Sequence, residues 1–242
     1  MTNPFLSIII PAYNEESRLP QTLEQIFTFL EGENYSTEVI IVENGSNDQT
    51  FGIAQALTKK YPDLRVLHNE KAGKGLAVRT GILAAKGKYR IFCDADLSMP
   101  IEEIRRFIPP NLDNDIVIAS REVEGAVRYA EPDFRHFTGR IFNLLIRLLA
   151  LPKLHDTQCG FKCFRADVAE NIFQHQHIEG WAFDVELLFI ARMRGYEIVE
   201  LPIPWYYNDE SKISVLRDSF RMFFDLLKIR QNARKGNYED SR

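Results

Sequence analysis

The chain has 242 residues, enough for one large domain or two small ones with a well-buried core. Hydrophobic content of 45% and charged content of 26% are ordinary for a soluble globular protein, and a net charge of -4 provides no global basic field for nucleic acid. No run approaches the roughly 18–20 apolar residues of a membrane span. The N-terminus lacks a signal-peptide pattern, and Cys93, Cys159 and Cys163, odd in number and without a second metal-ligand pair, read as buried thiols of a reducing, cytoplasmic compartment.

Taken in order, the elements alternate. Leu6–Ile10 is an apolar strand, and Ser17 to Leu30 places Leu19, Leu23, Ile26, Phe27 and Leu30 at helical spacing. Glu38–Val42 is the second strand, followed by a helix near Thr50 to Lys60. Arg65–His68 is the third, followed by a helix from Gly75 to Lys86. Tyr89–Cys93 is the fourth, and a helix opens near Pro100 with Glu102 and Glu103 in its first turn, as the helix dipole favours. Asp115–Ala119 is a fifth strand. Continuous apolar strands alternating with helices predict an α/β fold with a mostly parallel sheet covered on both faces. The second half is less regular: helices over Phe134 to Leu151, Trp181 to Arg194 and Val215 to Arg234, and short strands at Phe161–Phe164 and Glu197–Ile203. With no linker, the expectation is a single domain with an elaborated C-terminal half, divided into residues 1–120, 121–214 and a terminal amphipathic helix over 215–235.

Each of the first four strands ends in a polar, turn-forming cluster: Pro11-Ala-Tyr-Asn-Glu15, Glu43-Asn-Gly-Ser-Asn-Asp48, Asn69 to Gly75, and Asp94-Ala-Asp96. Taken singly, each is an ordinary βα loop, since Asn, Gly, Asp and Ser favour turns. In a parallel sheet, however, the carboxyl ends of all strands lie on one edge, where ligands bind. Two carboxylates two residues apart at such an edge are costly unless a cation neutralises them, most simply a divalent metal carrying an anionic ligand such as a diphosphate. The five histidines form no zinc pattern, and no Ser-His-Asp arrangement is evident.

Ser7 to Glu16, Val42 to Thr50, Gly73 to Arg79 and Asp94-Ala-Asp-Leu-Ser98 resemble, in order and spacing, the successive motifs of the family 2 glycosyltransferases, inverting enzymes of the GT-A (Rossmann-like) fold. The resemblance implies that Pro11, Tyr13, Glu15 and Glu43 line the base and ribose pocket. It implies that Lys74 and Arg79 lie near the nucleotide, and that Asp96, with Asp94 beside it, holds Mg2+ or Mn2+ on the diphosphate. Glu43-Asn44 replaces a common Asp-Asp, which leaves the base open. Ser98 stands where related mannosyl-lipid synthases often place a metal-binding Gln, and its simplest role is to cap the following helix.

Asp156 to Phe164 and Gly180 to Glu186 narrow the resemblance to the polyprenyl- and dolichyl-phosphate glucose synthase branch, which moves a hexose, expected from UDP-glucose, to a lipid phosphate. Asp156 and Asp184 join Asp96 as catalytic candidates. Asp184 matches the general-base position of relatives with hydroxyl acceptors. A phosphate acceptor, with a second pKa of about 6, is already nucleophilic at neutral pH, so Asp184 would then orient sugar or acceptor. Arg121, Arg135 and Lys212 are the candidates for the acceptor phosphate, with Lys162 weaker. The Ile141 to Leu151 stretch and the final helix either rest on a membrane surface or pack on the core. Two alternatives stay open: a transferase acting on a soluble or glycan hydroxyl with Asp184 as base, and a nucleotide-sugar-binding protein without catalysis. Nothing in the chain indicates its oligomeric state.

Overall fold

The computed structural model describes residues 3–130, 132–208 and 215–239, without the side chains of 133–138, 141, 142 and 215–220. The strands are β1 (Leu6–Ala12), β2 (Thr37–Asn44), β3 (Leu64–Asn69), β4 (Tyr89–Cys93), β5 (Ile116–Ser120), β6 (Val127–Tyr129), β7 (Phe161–Arg165), β8 (Ile198–Pro202) and β9 (Pro204–Tyr206). The helices are α1 (Leu19–Glu31), α2 (Thr50–Leu57), α3 (Lys74–Ala84), α4 (Ile104–Phe107), α5 (Asp133–Leu149), α6 (Ala166–Phe173), α7 (Phe183–Met193) and α8 (Val215–Arg234). Seven strands form one sheet in the order β3-β2-β1-β4-β7-β5-β8, and β6 pairs with β9 in a separate parallel ribbon.

β1, β2, β4 and β5 are apolar because helices cover both sheet faces, and the strand's period of two divides them between two cores. Ile8, Ile10, Val39 and Ile41 pack with Leu19, Leu23 and Ile26 of α1. Ile9, Ile40 and Val42 pack with Ala77, Val78 and Ile82 of α3 and with residues of α6, α7 and α8. The sheet is mostly parallel, as expected. The exception is β7, which enters antiparallel between β4 and β5. A strand from the second half thereby completes the sheet of the first, and residues 161–165 come to stand beside the end of β4.

The helix expected at Pro100 shrinks to a 3-10 turn over Ile101–Glu103 and one α-turn. Pro109 follows, and the residue before a proline is driven out of the α region; Ile108 is accordingly extended, at φ −130° and ψ 162°. α6, β6 and β9 were not expected. α5 and α8 both pack on the core, through Ile146 in one and Met222, Leu226 and Ile229 in the other. Each also leaves apolar side chains outside: Leu144 and Leu148 are 53% and 70% exposed, Phe224 and Leu227 54% and 44%. No described helix is long and apolar enough to cross a membrane.

α3 lies close on the sheet because Gly81 has no side chain: a Cβ there would stand 2.4 Å from Cγ2 of Ile9 and 2.9 Å from Cγ2 of Val42. Gly81→Ala is expected to destabilise the protein by about 1–3 kcal/mol despite the better helix propensity of alanine, as chemical denaturation would measure.

Candidate active site

The four polar clusters meet at the carboxyl edge of the sheet, as expected, and are tied to one another. Asn14 donates its N–H to Oγ of Ser46 (3.0 Å), and its Oδ1 accepts from the N–H of Asn47 (2.9 Å). The N–H of Glu15 donates to Oγ1 of Thr50 (2.7 Å), while its carboxylate pairs with Arg18 (2.8 Å). Pro11 and Tyr13 are half-buried between these loops. Glu43 is buried at the end of β2, where Ser46 N–H donates to Oε1 and Nδ1 of His68 meets Oε2. Burial opposes its ionisation, but Ser46 and His68 together hold its pKa below the usual value. His68, at the end of β3, was not foreseen, since nothing in its spacing links it to Glu43.

Asp94 and Asp96 follow β4. The loop is held from below by Thr22, whose hydroxyl donates to the Ala95 carbonyl (2.6 Å). Asp94 pairs with Lys74 at the start of α3 (2.6 Å). It fits because position 160 is glycine: a Cβ there would lie 1.9 Å from Oδ2 of Asp94. Among the described residues Asp96 has no cationic partner within contact. Burial, then the neighbouring Asp94 charge, raise its pKa, against a hydrogen bond from Ser98 N–H (3.0 Å). Ser98 is therefore bound back to Asp96 and caps nothing; the following 3-10 turn has Pro100 at its N-cap. Leu97 between them takes φ +45°, a left-handed conformation that a leucine adopts only under constraint. Cys93, Cys159, Gly160 and Trp205 complete the wall around the pair.

These residues fit a divalent cation. A half-buried carboxylate without a countercharge beside a second one offers hard oxygen donors. Among the described residues no third His, Cys, Asp or Glu joins them. Mg2+ and Mn2+ sites accept such a set, with phosphate and water supplying the remaining oxygens.

The second half contributes two buried ion pairs. Asp156 has no exposed atom; Arg121 holds it through Nε to Oδ2 (2.7 Å), its Nη2 to Oδ1 (3.0 Å) and its backbone N–H (3.0 Å). Burial opposes ionisation, but Arg121 dominates and lowers the Asp156 pKa to about 2. Asp156, expected among the catalytic residues, is thus sealed off as the clamp of Arg121. The guanidinium of Arg121, still partly exposed, stacks over Trp205 at 5.3 Å from the ring centre. Lys162 is completely buried and pairs with Asp184 at 2.7 Å, with its ammonium also donating to the Cys159 carbonyl (2.5 Å). It is no surface ligand for phosphate. Burial raises the Asp184 pKa against the pull of Lys162 and Lys74. Arg79, placed near the nucleotide in the expectation, turns instead toward the Gln174 carbonyl (3.5 Å) at the end of α6. The Arg135 side chain and Lys212 lie outside the described residues.

Comparison with known proteins agrees with this architecture. The family model for glycosyl transferase family 2 matches residues 7–173. The chain belongs to that family and is a glycosyltransferase of the GT-A fold. Solved structures with the fold include glucosyl-3-phosphoglycerate synthase from Mycobacterium tuberculosis in complex with UDP (TM-score 0.67, 17% identity, 93% of this chain and 80% of that one). Another is the mannosyltransferase PcManGT from Pyrobaculum calidifontis with GDP-Man and Mn2+ (TM-score 0.60, 19% identity, 100% and 66%). Among curated relatives, the dolichyl-phosphate beta-glucosyltransferase of Drosophila melanogaster is 37% identical over 93% of this chain and 74% of its own length. The human enzyme of the same name is 34% identical over the same shares, and that of Saccharomyces cerevisiae is 32% identical over 98% and 78%.

The Arg121–Asp156 pair makes a pH prediction. A carboxyl lowered from 3.8 to about 2 contributes about 2 kcal/mol, complete above roughly pH 4 and lost as the pH falls toward 2. Urea denaturation across that range is expected to show the wild type losing this increment, and Asp156→Asn, weaker from the start, following a flatter profile.

Proposed function

We propose that the protein transfers glucose, with inversion, from a nucleotide sugar to the phosphate of a dolichyl or polyprenyl phosphate. The observation that carries this reading is identity of 32–37% with dolichyl-phosphate beta-glucosyltransferases, over 93% or more of the chain. UDP-glucose is the donor we assign. In this reading residues 1–120 bind the donor, with Pro11, Tyr13, Glu15 and Glu43 around the nucleoside, and residues 121–214 receive the acceptor.

Asp96, with Asp94, would hold Mg2+ or Mn2+. When bound, such an ion supplies Lewis-acid stabilisation of the charge developing on the leaving diphosphate. Lys74 adds a positive charge on the same side. It is held on Asp94 and its pKa is raised, because Asp94, then Asp184 and Asp96, outweigh the burial that would lower it. Arg121, fixed in orientation by Asp156 and Trp205, is the described cation best placed for the acceptor phosphate.

The state of Asp184 supports a phosphate acceptor over a hydroxyl one. A general base must be free to take a proton, whereas Asp184 is buried and its charge is already matched by Lys162. A phosphate oxygen needs no such base. The exposed leucines of α5 and the exposed Phe224 and Leu227 of α8 stand among Arg147, Arg221, Lys228 and Arg230, as a helix pair resting on an anionic bilayer requires. We assign the protein to the periphery of a membrane on that basis, on its cytoplasmic face.

Purified protein with Mn2+ and labelled UDP-glucose is expected to label dolichyl phosphate and no free glycan. Asp96→Asn should lower the rate at least 100-fold, a loss typical of a ligand to a catalytic metal, with its melting temperature retained. With no protein base involved, kcat/KM for the acceptor should fall about tenfold per unit below roughly pH 6, following the phosphate's own second ionisation. Labelling of a soluble hydroxyl acceptor in place of the lipid would overturn the reading.

A further inference from the structure

Glu186 is wholly buried, carries a pKa raised by burial, and has no part in the chemistry above. Its contacts lead in two directions. Oε1 accepts from the hydroxyl of Tyr238 (2.7 Å), near the described end of the chain. Oε2 accepts from the backbone N–H groups of His177 (2.9 Å) and Ile178 (2.7 Å), in the loop before α7.

That loop is the seat on which α3 begins. Gln176 donates through Nε2 to the carbonyls of Gly75 (2.9 Å) and Ile178 (2.8 Å), and Leu76 donates its N–H to the Glu179 carbonyl (3.2 Å). The fit is tight enough to require glycine twice. A Cβ at position 73 would stand 2.8 Å from the Glu179 carbonyl oxygen, and one at 75 would stand 2.6 Å from Cβ of Phe183. Lys74 lies between these glycines, over the ring of Trp181 from the same loop (5.2 Å to the ring centre), and its ammonium reaches Asp94.

We propose that Glu186 and Tyr238 are positioning residues for donor binding. The buried Tyr238–Glu186 hydrogen bond sets residues 176–181, and these residues aim Lys74 into the diphosphate site. The proposal rests on the reading of that site as one for a nucleoside diphosphate. Tyr238 is itself anchored, since its carbonyl accepts from Nη2 of Arg194 (2.7 Å), so the C-terminal segment acts as a fixed post. A wholly structural Glu186 would cost stability when changed but would leave ligand affinity untouched in the folded fraction. A positioning Glu186 acts through Lys74, and its effect must vanish when Lys74 has nothing to aim.

The test is a double-mutant cycle on the full chain, read as the affinity for UDP with Mn2+ by titration calorimetry. Tyr238→Phe is expected to weaken UDP binding about 5–10-fold and to raise the donor KM similarly, with the acceptor KM within twofold of wild type. In a Lys74→Met background the same change should have less than a twofold effect. An unchanged affinity in Tyr238→Phe, or an equal loss with and without Lys74, would overturn the proposal while the donor site stands. A wild type that binds no UDP with Mn2+ would sink the donor-site reading and this inference with it. Should Tyr238→Phe fail to fold, Gln176→Ala enters the same cycle, because it removes only the bonds to the Gly75 and Ile178 carbonyls.

Discussion

Charge neutrality in a half-buried cleft is the constraint on which the rest of this structure depends. Four carboxylates, Asp94, Asp96, Asp156 and Asp184, converge on the carboxyl edge of the sheet, and three cations answer them: Lys74, Lys162 and Arg121. Each cation holds a different acid, so one carboxylate is left over: among the described residues Asp96 has no ion-pair partner. An uncompensated carboxylate at that depth is expensive, and its raised pKa records the cost. The leftover charge falls where a metal bridging to a diphosphate would restore neutrality. The other three acids are already spent on fixing cations in place.

The topology follows from the same need. If β5 lay directly beside β4, the end of β4 would face another outgoing strand with its own βα loop. The antiparallel β7 instead brings the start of a strand to that edge. Gly160 can then back Asp94, and Lys162 can sit opposite Phe92, beneath the cleft. The short strand was expected over Phe161–Phe164, but no local pattern reveals its direction. The strands β1 to β5 were legible as continuous apolar runs, and α1, α5 and α8 as amphipathic helices of some length. The three-residue β6 and β9 are too short to show any period, and α6 follows β7 with no intervening turn residue to mark its start.

Much the same division applies to the site. Asp94, Asp96, Glu43 and Lys74 could be read because strand ends and turn chemistry mark them locally. The long-range pairings could not: Arg121 with Asp156, Lys162 with Asp184, and His68 with Glu43 join residues 22 to 35 apart, and each exists only because the fold juxtaposes them. Those pairings also change the roles assigned. The family resemblance made Asp156 a catalytic candidate and Lys162 a weaker candidate for the acceptor phosphate, but burial turns both inward, where an ionised group persists only when paired.

The first turns of α7 carry this logic furthest. Asp184 and Glu186 are two residues apart yet point to different partners, one to a buried ammonium and one to backbone N–H groups and a phenol. Asp184 pairs with the buried Lys162 beneath the cleft. Glu186 satisfies loop donors that would otherwise be buried without acceptors, an omission that costs about 1–3 kcal/mol each. A single helix start thus holds both the loop behind Lys74 and the carboxylate that pairs with Lys162. Asp184 is fixed by its buried pair with Lys162, so a general base free to pick up and release a proton is poorly accommodated there. An acceptor that arrives already ionised removes that demand, and the rigid pairing then has no catalytic disadvantage.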